Sequence, residues 1–427
     1  GNDKKRHGDY LTIARPYAIG DCKLENVKLG APINLTESVK ESTFDIEITP
    51  SKLSGSICSP PSKSHLHRLL IMSAFCGGKA VVSNVVLSND IKATLNALKN
   101  IGADFVINKN SVTFSGFNLK NSAVIDCGEC GSTFRFFIPI CAMLGIKTQF
   151  IGSERLGERG YEDIITAMGS KVNFDKTSGL PLNIYGNYDM DEITINGNMS
   201  SQFVSGIMLG AYASNKKITI NLTGQLVSRG YVDMTVQVLK QFGCEVVEEK
   251  NSFVVIPKKI DGTKYDLSPE VDYSNLAFWE VGGVHLPIAQ DNSKQGDKIV
   301  LEIVKKAEQG LAFDIDISNI PDLAPIFGVL LAKLKGTSTL KNCARLRIKE
   351  CDRLAATCEI LNTFGIKASI VGDDLVIVGG KVKGRVTVDS YGDHRMAMTA
   401  AILATFADGK VTVKNAQVVK KSYPDFW

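Results

Sequence analysis

A repeat of about 70 residues narrows the possible folds of this 427-residue chain more than any other feature. A Gly or Asn followed by a short β-like run recurs six times: Gly78-Lys79-Ala80-Val81-Val82, Gly145-Ile146-Lys147-Thr148, Asn215 to Ile220, Gly283-Val284-His285-Leu286, Gly336 to Leu340 and Gly409 to Val413. The steps are 67, 70, 68, 53 and 73 residues. A second element interleaves with it at Leu98 to Gly102, Leu239 to Gly243 and Leu361 to Gly365, with weaker copies ending at Gly169 and Gly310. Each glycine follows apolar residues at helical spacing (Leu95, Leu98, Ile101; Val236, Leu239, Phe242), so it supplies a left-handed helix stop before a strand. The unit reads strand, helix, strand, helix, then strands. It is too long and too mixed for tetratricopeptide, ankyrin or leucine-rich arrays. Six units divide into two domains of three, an α/β chain; chance helix stops would explain one or two matches, not six in order.

Lys+Arg 49 against Asp+Glu 45 is too balanced for a non-specific nucleic-acid or membrane-surface binder. No apolar run approaches the ~18 residues of a membrane span, and Gly1-Asn2-Asp3-Lys4-Lys5-Arg6 is no secretory signal. The ten cysteines are scattered, and the one CxxC, Cys127 to Cys130, has no second pair at zinc-finger spacing and no thioredoxin-like context. The expectation is a cytoplasmic protein with reduced thiols. His65, His67 and His394 form no metal-ligand spacing with carboxylates, so no metal and no cofactor are expected.

There is no GxxxxGK[ST] loop and no GxGxxG after a strand, which removes support for nucleotide hydrolysis and nicotinamide chemistry. Polar clusters instead open apolar helices: Ser62-Lys63-Ser64-His65-Leu66-His67-Arg68, Gly128 through Arg135, Ser200-Ser201-Gln202 and Asp393-His394-Arg395. Helix starts offer free N–H groups and a positive dipole end, so they bind anions. Any single Ser is explained by capping. Lys63, Arg68, Arg135 and Arg395 are not, because a cation opposes the dipole there, and an anionic ligand would compensate them. The densest cluster, Arg345 to Arg353, enters the helix beginning Leu354-Ala355-Ala356. Its alternation predicts a strand with Arg345, Arg347 and Lys349 on one face. Asp322, after Ile320-Pro321, reads as a helix N-cap. Glu350 beside Lys349 reads either as an exposed ion pair or as an acid–base pair held among cations.

Taken in order, these clusters resemble the 5-enolpyruvylshikimate-3-phosphate synthase family, from about Phe44 to Trp427. The matching pieces are Ser62-Lys63-Ser64 with Arg68, Gly128 through Arg135, Gly152 through Arg159, Ser200 to Phe203, Leu226 to Tyr231, Ile320-Pro321-Asp322, Arg347 to Leu354, Gly392 to Met398 and Lys421 to Asp425. Each is weak alone, and the ordered set is specific. The resemblance implies two domains of three βαβαββ units each, an inside-out α/β barrel closing on substrate. Residues 44–61 plus 272–427 would form one domain and 62–271 the other, with the active site between them. Residues 1–43 lie outside this rhythm; Asp3 to Ile13 resembles the C-terminal tail of dehydroquinate synthase, which implies a fusion of consecutive pathway enzymes.

The implied reaction is enolpyruvyl transfer from phosphoenolpyruvate to the 5-hydroxyl of shikimate 3-phosphate, with release of phosphate through a tetrahedral intermediate. By position, Lys63, Gly131, Arg155, Gln202, Arg353, Arg395 and Lys421 would hold phosphoenolpyruvate. Ser64, Arg68, Ser200, Ser201, Gln202, Ser228, Asp322, Arg345 and Lys349 would hold shikimate 3-phosphate. Asp322 would take the hydroxyl proton, with Lys63 and Glu350 as partners in proton transfer at C3. The chain departs from the family pattern at His67, Glu129, Phe136, Gly157 and Arg345, and a Glu beside an anion site is unfavourable unless it turns away or pairs with a cation. Retained Gly131 favours inhibition by glyphosate. The segment between Gly296 and Ile320 is short, so one repeat is expected to be trimmed. A monomer is expected. Two other readings are a UDP-N-acetylglucosamine enolpyruvyl transferase, disfavoured by Ser62-Lys63-Ser64 with Arg68, and a silent binding or scaffold domain, disfavoured by joint retention of Lys63, Asp322, Glu350 and Arg395.

Overall fold

The structure is a computed structural model that describes residues 42–427 apart from 59, 199, 259–262 and 287–291, together with three strands near the N-terminus. Those strands, Arg6–His7, Tyr10–Ala18 and Asp21–Lys28, pair as an antiparallel meander. The dehydroquinate-synthase-like stretch at Asp3 to Ile13 and the rest of the 1–43 segment fall partly outside the described residues.

The repeat emerges as a recurring sheet. Glu192–Asn196 runs parallel to Ile218–Thr223 across helix Ser201–Ser214; helix Arg229–Gln241 and the antiparallel pair Glu245–Glu248 and Ser252–Ile256 complete the unit. The same strand order recurs in the sheets spanning 122–186 and 315–378. In the unit spanning 63–117 the first strand is supplied from far along the chain, Lys264–Leu267 parallel to Lys79–Val82. In the last unit Val386–Asp389 runs parallel to Val411–Lys414, which pairs antiparallel with Ile46–Ile48. The remaining unit is reduced to helices Tyr273–Gly282 and Val300–Ala307, with no sheet of its own among the described residues. Gly283 ends its helix at φ 89° as the pattern predicts, but Val284 to Leu286 is not the expected strand. Gly102, Gly243 and Gly365 sit at φ 122°, 84° and 76° as the repeat predicts, whereas Gly169, which ends a weaker copy, stays right-handed at φ −61°.

Six helices are buried almost all round: Lys63–Phe75, Gly131–Leu144 and Ser201–Ser214 in one core, Tyr273–Gly282, Ala324–Ala332 and His394–Thr405 in a second. A helix apolar on every side belongs inside, and the sheets, alternating exposed and buried residues, wrap around it. One core gathers residues from Leu66 to Val255, the other from Tyr273 to Phe426. Within the first, Gly206 lets Ser201–Ser214 close on Gly131–Leu144: a Cβ there would lie 2.7 Å from the Arg135 carbonyl oxygen. Pro139 has no N–H to give that carbonyl. The chain passes between the cores twice, side by side: Ser62 N–H donates to Glu270 O (2.7 Å) and Asp272 N–H to Pro60 O (2.9 Å).

Candidate active site

The N-terminal ends of all six buried helices open on one cleft between the two cores, lined among others by Lys63, Gly131, Ser201, Asn275, Asp322 and Arg395. The polar clusters at helix starts therefore converge because the buried helices of both cores bring their N-terminal ends to the same cleft. Ser62 accepts from His65 N–H, Ser200 from Gln202 N–H and Asp393 from Arg395 N–H, so each caps its helix. Asp272 caps two at once, receiving Asn275 N–H (2.9 Å) on one oxygen and Lys63 N–H (3.0 Å) on the other. Of the sequence-predicted site residues, all but Arg155 and Lys421 line the cleft.

Cations and carboxylates alternate around it. Asp322 receives Lys349 Nζ at 3.2 Å and Arg353 at 2.8 Å, and Arg395 lies 3.6 Å away. Tyr231 O–H donates to the same carboxylate at 3.4 Å. Burial disfavours its charge, but Lys349, Arg395 and Arg353 together outweigh burial and hold the Asp322 carboxyl well below the usual range. Asp322 is not the N-cap its position suggests: a 3-10 turn, Pro321–Leu323, leads into the helix without side-chain capping, which leaves the carboxylate free for the cleft. Glu350 contacts Arg353 (2.7 Å) and Arg159 (3.5 Å) and is likewise held low against the cost of burial. Arg353 is almost fully enclosed and also binds Asp393 at 2.7 Å, so three carboxylates share it. Burial pulls Lys349 down to about 8.

The stretch at Arg345 is not a strand. Ala344–Ile348 is a 3-10 helix, whose three residues per turn place Arg345 and Ile348 toward the cleft and Arg347 away from it. Arg347 pairs with Asp352 and Asp373 on the outside, whereas Arg345 donates to Ser228 Oγ at 2.9 Å across the cleft. Ser228, at φ 51°, is fixed there by its N–H to Asn319 (3.1 Å).

Several predicted ligands are already committed to protein partners. Arg68 donates to Thr235 Oγ1, Ser64 O, Ser205 Oγ and Tyr231 O, and stacks over Phe136. Gln202 accepts from Arg135 and donates to Ser132. Arg155 is half exposed and binds the carbonyls of Lys349 and Arg347 in the opposite core. Lys421 is buried and donates to Asp90 (3.2 Å) and to Glu129 O (2.8 Å). The Glu129 carboxylate is mostly exposed, 3.8 Å from Lys421, so it has both turned outward and found a cation.

Sequence reasoning missed Asp90, Arg159 and Tyr231. Asp90 sits in the first turn of helix Asn89–Ile101, where an acid is explained by the helix dipole alone. Arg159 directly follows the short helix Glu154–Glu158 at its C-terminal end, with no helix start to mark it. His67, Asp90 and Cys130 bring three potential metal-ligand atoms within 4.8 Å of one another. Asp90, however, spends one oxygen on Lys63 (2.6 Å) and the other on Lys421, and His67 Nδ1 pairs with Thr94 at 2.8 Å. A cation there would meet two ammonium groups, so the set does not fit a metal. Burial raises the thiol of Cys127 well above its usual value and that of Cys130 to about 11, and no disulfide forms among the described residues. No helix of the described residues is long and apolar enough to cross a membrane.

Helices enclosed by sheets in two cores, with a cation-rich cleft between them, define the enolpyruvyl-transferase fold. An EPSP synthase from Acinetobacter baumannii superposes with a TM-score of 0.70 at 21% identity, covering 90% of this chain and 97% of that one. The enolpyruvyl transferase NikO from Streptomyces tendae gives 0.67 at 13%, covering 89% and 94%. The family model for EPSP synthase (3-phosphoshikimate 1-carboxyvinyltransferase) matches residues 48–427, and the chain belongs to that family. Among curated relatives, 3-phosphoshikimate 1-carboxyvinyltransferases of Clostridium acetobutylicum and of Clostridium perfringens (strain SM101) are 37% and 36% identical. They cover 90% and 89% of this chain and 95% and 96% of their own lengths.

Proposed function

We propose that this chain transfers the enolpyruvyl group of phosphoenolpyruvate to the 5-hydroxyl of shikimate 3-phosphate and releases inorganic phosphate. The observation that carries the reading is Asp322, a carboxylate held ionised in the cleft by Lys349, Arg353 and Arg395 in a member of this family. Both substrates carry a phosphate and a carboxylate, and the cations around Asp322 and Glu350 are suited to receive them. As those anions draw cations away, Asp322 loses what depresses its pKa and becomes a competent base.

In this reading the 5-hydroxyl oxygen bonds to C2 of phosphoenolpyruvate, its proton passes to Asp322, and C3 gains a proton from Lys63, or from Glu350 once the substrate anions have drawn Arg353 and Arg159 from it and it has taken up a proton. The C2–O bond to phosphate then breaks, the proton held by Asp322 leaves with the phosphate, C3 returns a proton to the group that supplied it, and the enol ether forms. Lys63, Gly131, Arg353, Arg395 and Lys421 serve the phosphoenolpyruvate side, with Arg155 binding its two carbonyls until substrate arrives. Ser64, Ser200, Ser201, Gln202, Ser228, Arg345 and Lys349 serve shikimate 3-phosphate, and Arg68 braces Ser64 from behind. The two cores act as domains of 44–61 plus 272–427 and 62–271. The enzyme works as a cytoplasmic monomer and is inhibited by glyphosate at the phosphoenolpyruvate position.

The test is phosphate release from phosphoenolpyruvate with shikimate 3-phosphate, and separately with UDP-N-acetylglucosamine, as acceptor. Turnover with the former alone is the expected result. Turnover with the latter alone would overturn the substrate assignment, and none with either, in a sample that binds shikimate 3-phosphate, would make the chain a silent binding domain.

A further inference from the structure

Among the described residues, Asp90 is the one carboxylate that holds ammonium groups from both cores. Its Oδ2 lies 2.6 Å from Lys63 Nζ, at the start of helix Lys63–Phe75 in the first core, and its Oδ1 lies 3.2 Å from Lys421 Nζ, on the 3-10 helix Ala416–Lys421 of the second. All three side chains are largely withdrawn from water, so the pairings are desolvated and geometrically demanding. Asp90 is itself fixed by its place in the first turn of helix Asn89–Ile101, which Ser88 caps. Without it two ammonium groups from opposite cores would approach each other unscreened across the cleft wall.

Burial opposes the charge of Asp90, and Lys421 and Lys63 overcome it, leaving the carboxyl far below its usual range; in return Asp90 leads the groups that hold the Lys421 ammonium far above its own. Other charged or titratable groups around Lys421 are Glu129, Cys130, Glu350 and the buried His67. Glu129 is mostly exposed, and Glu350 is shared with Arg353 and Arg159. Neither can replace Asp90 as the fixed point between the lysines.

We infer that Asp90 is a positioning residue for the phosphoenolpyruvate clamp, which sets the spacing of the Lys63 and Lys421 ammonium groups so that one anion is met from both cores together. It touches neither substrate. This rests on the functional reading above, within which no role had fallen to Asp90. A purely local charge effect predicts the opposite sign, because deleting a negative charge beside an anion site should tighten anion binding.

The experiment is steady-state kinetics of wild type, Asp90→Asn and Asp90→Glu, with shikimate 3-phosphate binding followed by calorimetry. Asp90→Asn is expected to raise the KM for phosphoenolpyruvate about tenfold or more while the Kd for shikimate 3-phosphate stays within about twofold. Asp90→Glu, which keeps the charge, should recover part of the loss. An unchanged or lowered KM for phosphoenolpyruvate in Asp90→Asn overturns the inference, as does an equal weakening of both substrates. If Asp90→Asn does not fold, Asp90→Glu decides: an unchanged KM for phosphoenolpyruvate overturns the inference, and a selective rise supports it. A wild type without turnover sinks the functional reading and this inference with it, whereas an active wild type with an indifferent Asp90→Asn sinks only the latter.

Discussion

The guanidinium of Arg353 lies 2.8 Å from Asp322 while the same group reaches Glu350 and Asp393 at 2.7 Å each. One buried cation thus couples the proposed base to the proposed proton-transfer partner at C3, and what either carboxylate gives up is felt by the other. Asp322→Asn keeps the shape and removes the base. Turnover should fall about 10²–10⁴-fold, with binding of shikimate 3-phosphate weakened much less. Stopped-flow and calorimetry would separate the two, and wild-type turnover would end the assignment.

Lys421 is bound by Asp90 and by the Glu129 carbonyl, and shikimate 3-phosphate is proposed to sit against other residues. Lys421→Ala should therefore raise the KM for phosphoenolpyruvate more than that for shikimate 3-phosphate. Equal effects in initial-rate kinetics would remove Lys421 from the clamp.

Burial lowers Lys349 to about 8, so its positive charge is present below that pH and lost as pH rises through it. If Lys349 meets shikimate 3-phosphate, kcat/KM for that substrate should decline above pH about 8, because this parameter reports the free enzyme. Lys349→Arg, whose guanidinium does not titrate in this range, should push the decline to higher pH. A wild-type profile flat to pH 10 would contradict it.

A methyl group added at Gly131 would stand 3.0 Å from an Arg135 nitrogen and 3.1 Å from an Arg159 nitrogen. Both are side-chain ends that can move, so Gly131→Ala should fold and pay in binding rather than stability. The expected result is a higher KM for phosphoenolpyruvate and a larger loss of glyphosate inhibition, with shikimate 3-phosphate binding little altered. Unchanged inhibition would place glyphosate elsewhere.

Gly206 faces backbone instead: a Cβ would meet the Arg135 carbonyl at 2.7 Å and Pro139 Cγ at 2.8 Å. Neither can yield without moving a helix, so Gly206→Ala should cost about 1–3 kcal/mol in urea unfolding. A neutral substitution would show that the two helices slide apart more easily than their packing suggests.

The helices were legible where their ends carry chemistry that acts locally, such as a glycine stop at Gly102 or Gly365 or a capping Ser at Ser62 or Ser200. The strand expected over Arg345 to Lys349 was not, since alternating charge mimics a strand and nothing local distinguishes it from a 3-10 turn. At the site, residue types and order were enough to bring most members into one cleft. What sequence withheld was who pairs with whom: that Arg68 is consumed by Thr235, Ser205 and two carbonyls, and that Asp90 is more than a helix-dipole acid. Those are contacts between residues up to 331 positions apart, fixed only when the units stack.

The paired passages at Pro60 to Ser62 and Glu270 to Asp272 make the first core a parenthesis inside the second. Its opening and closing ends are neighbours, separated by no more than the width of an antiparallel ladder, about 5 Å. A glycine or two joining Pro61 to Asp272 would leave the second core an unbroken polypeptide. The same short splice from Val271 to Ser62 would close the first into a ring, which could be reopened at any surface turn. The two halves of this catalyst are thus separable by cutting at a single place in space, although that place is two places in the gene.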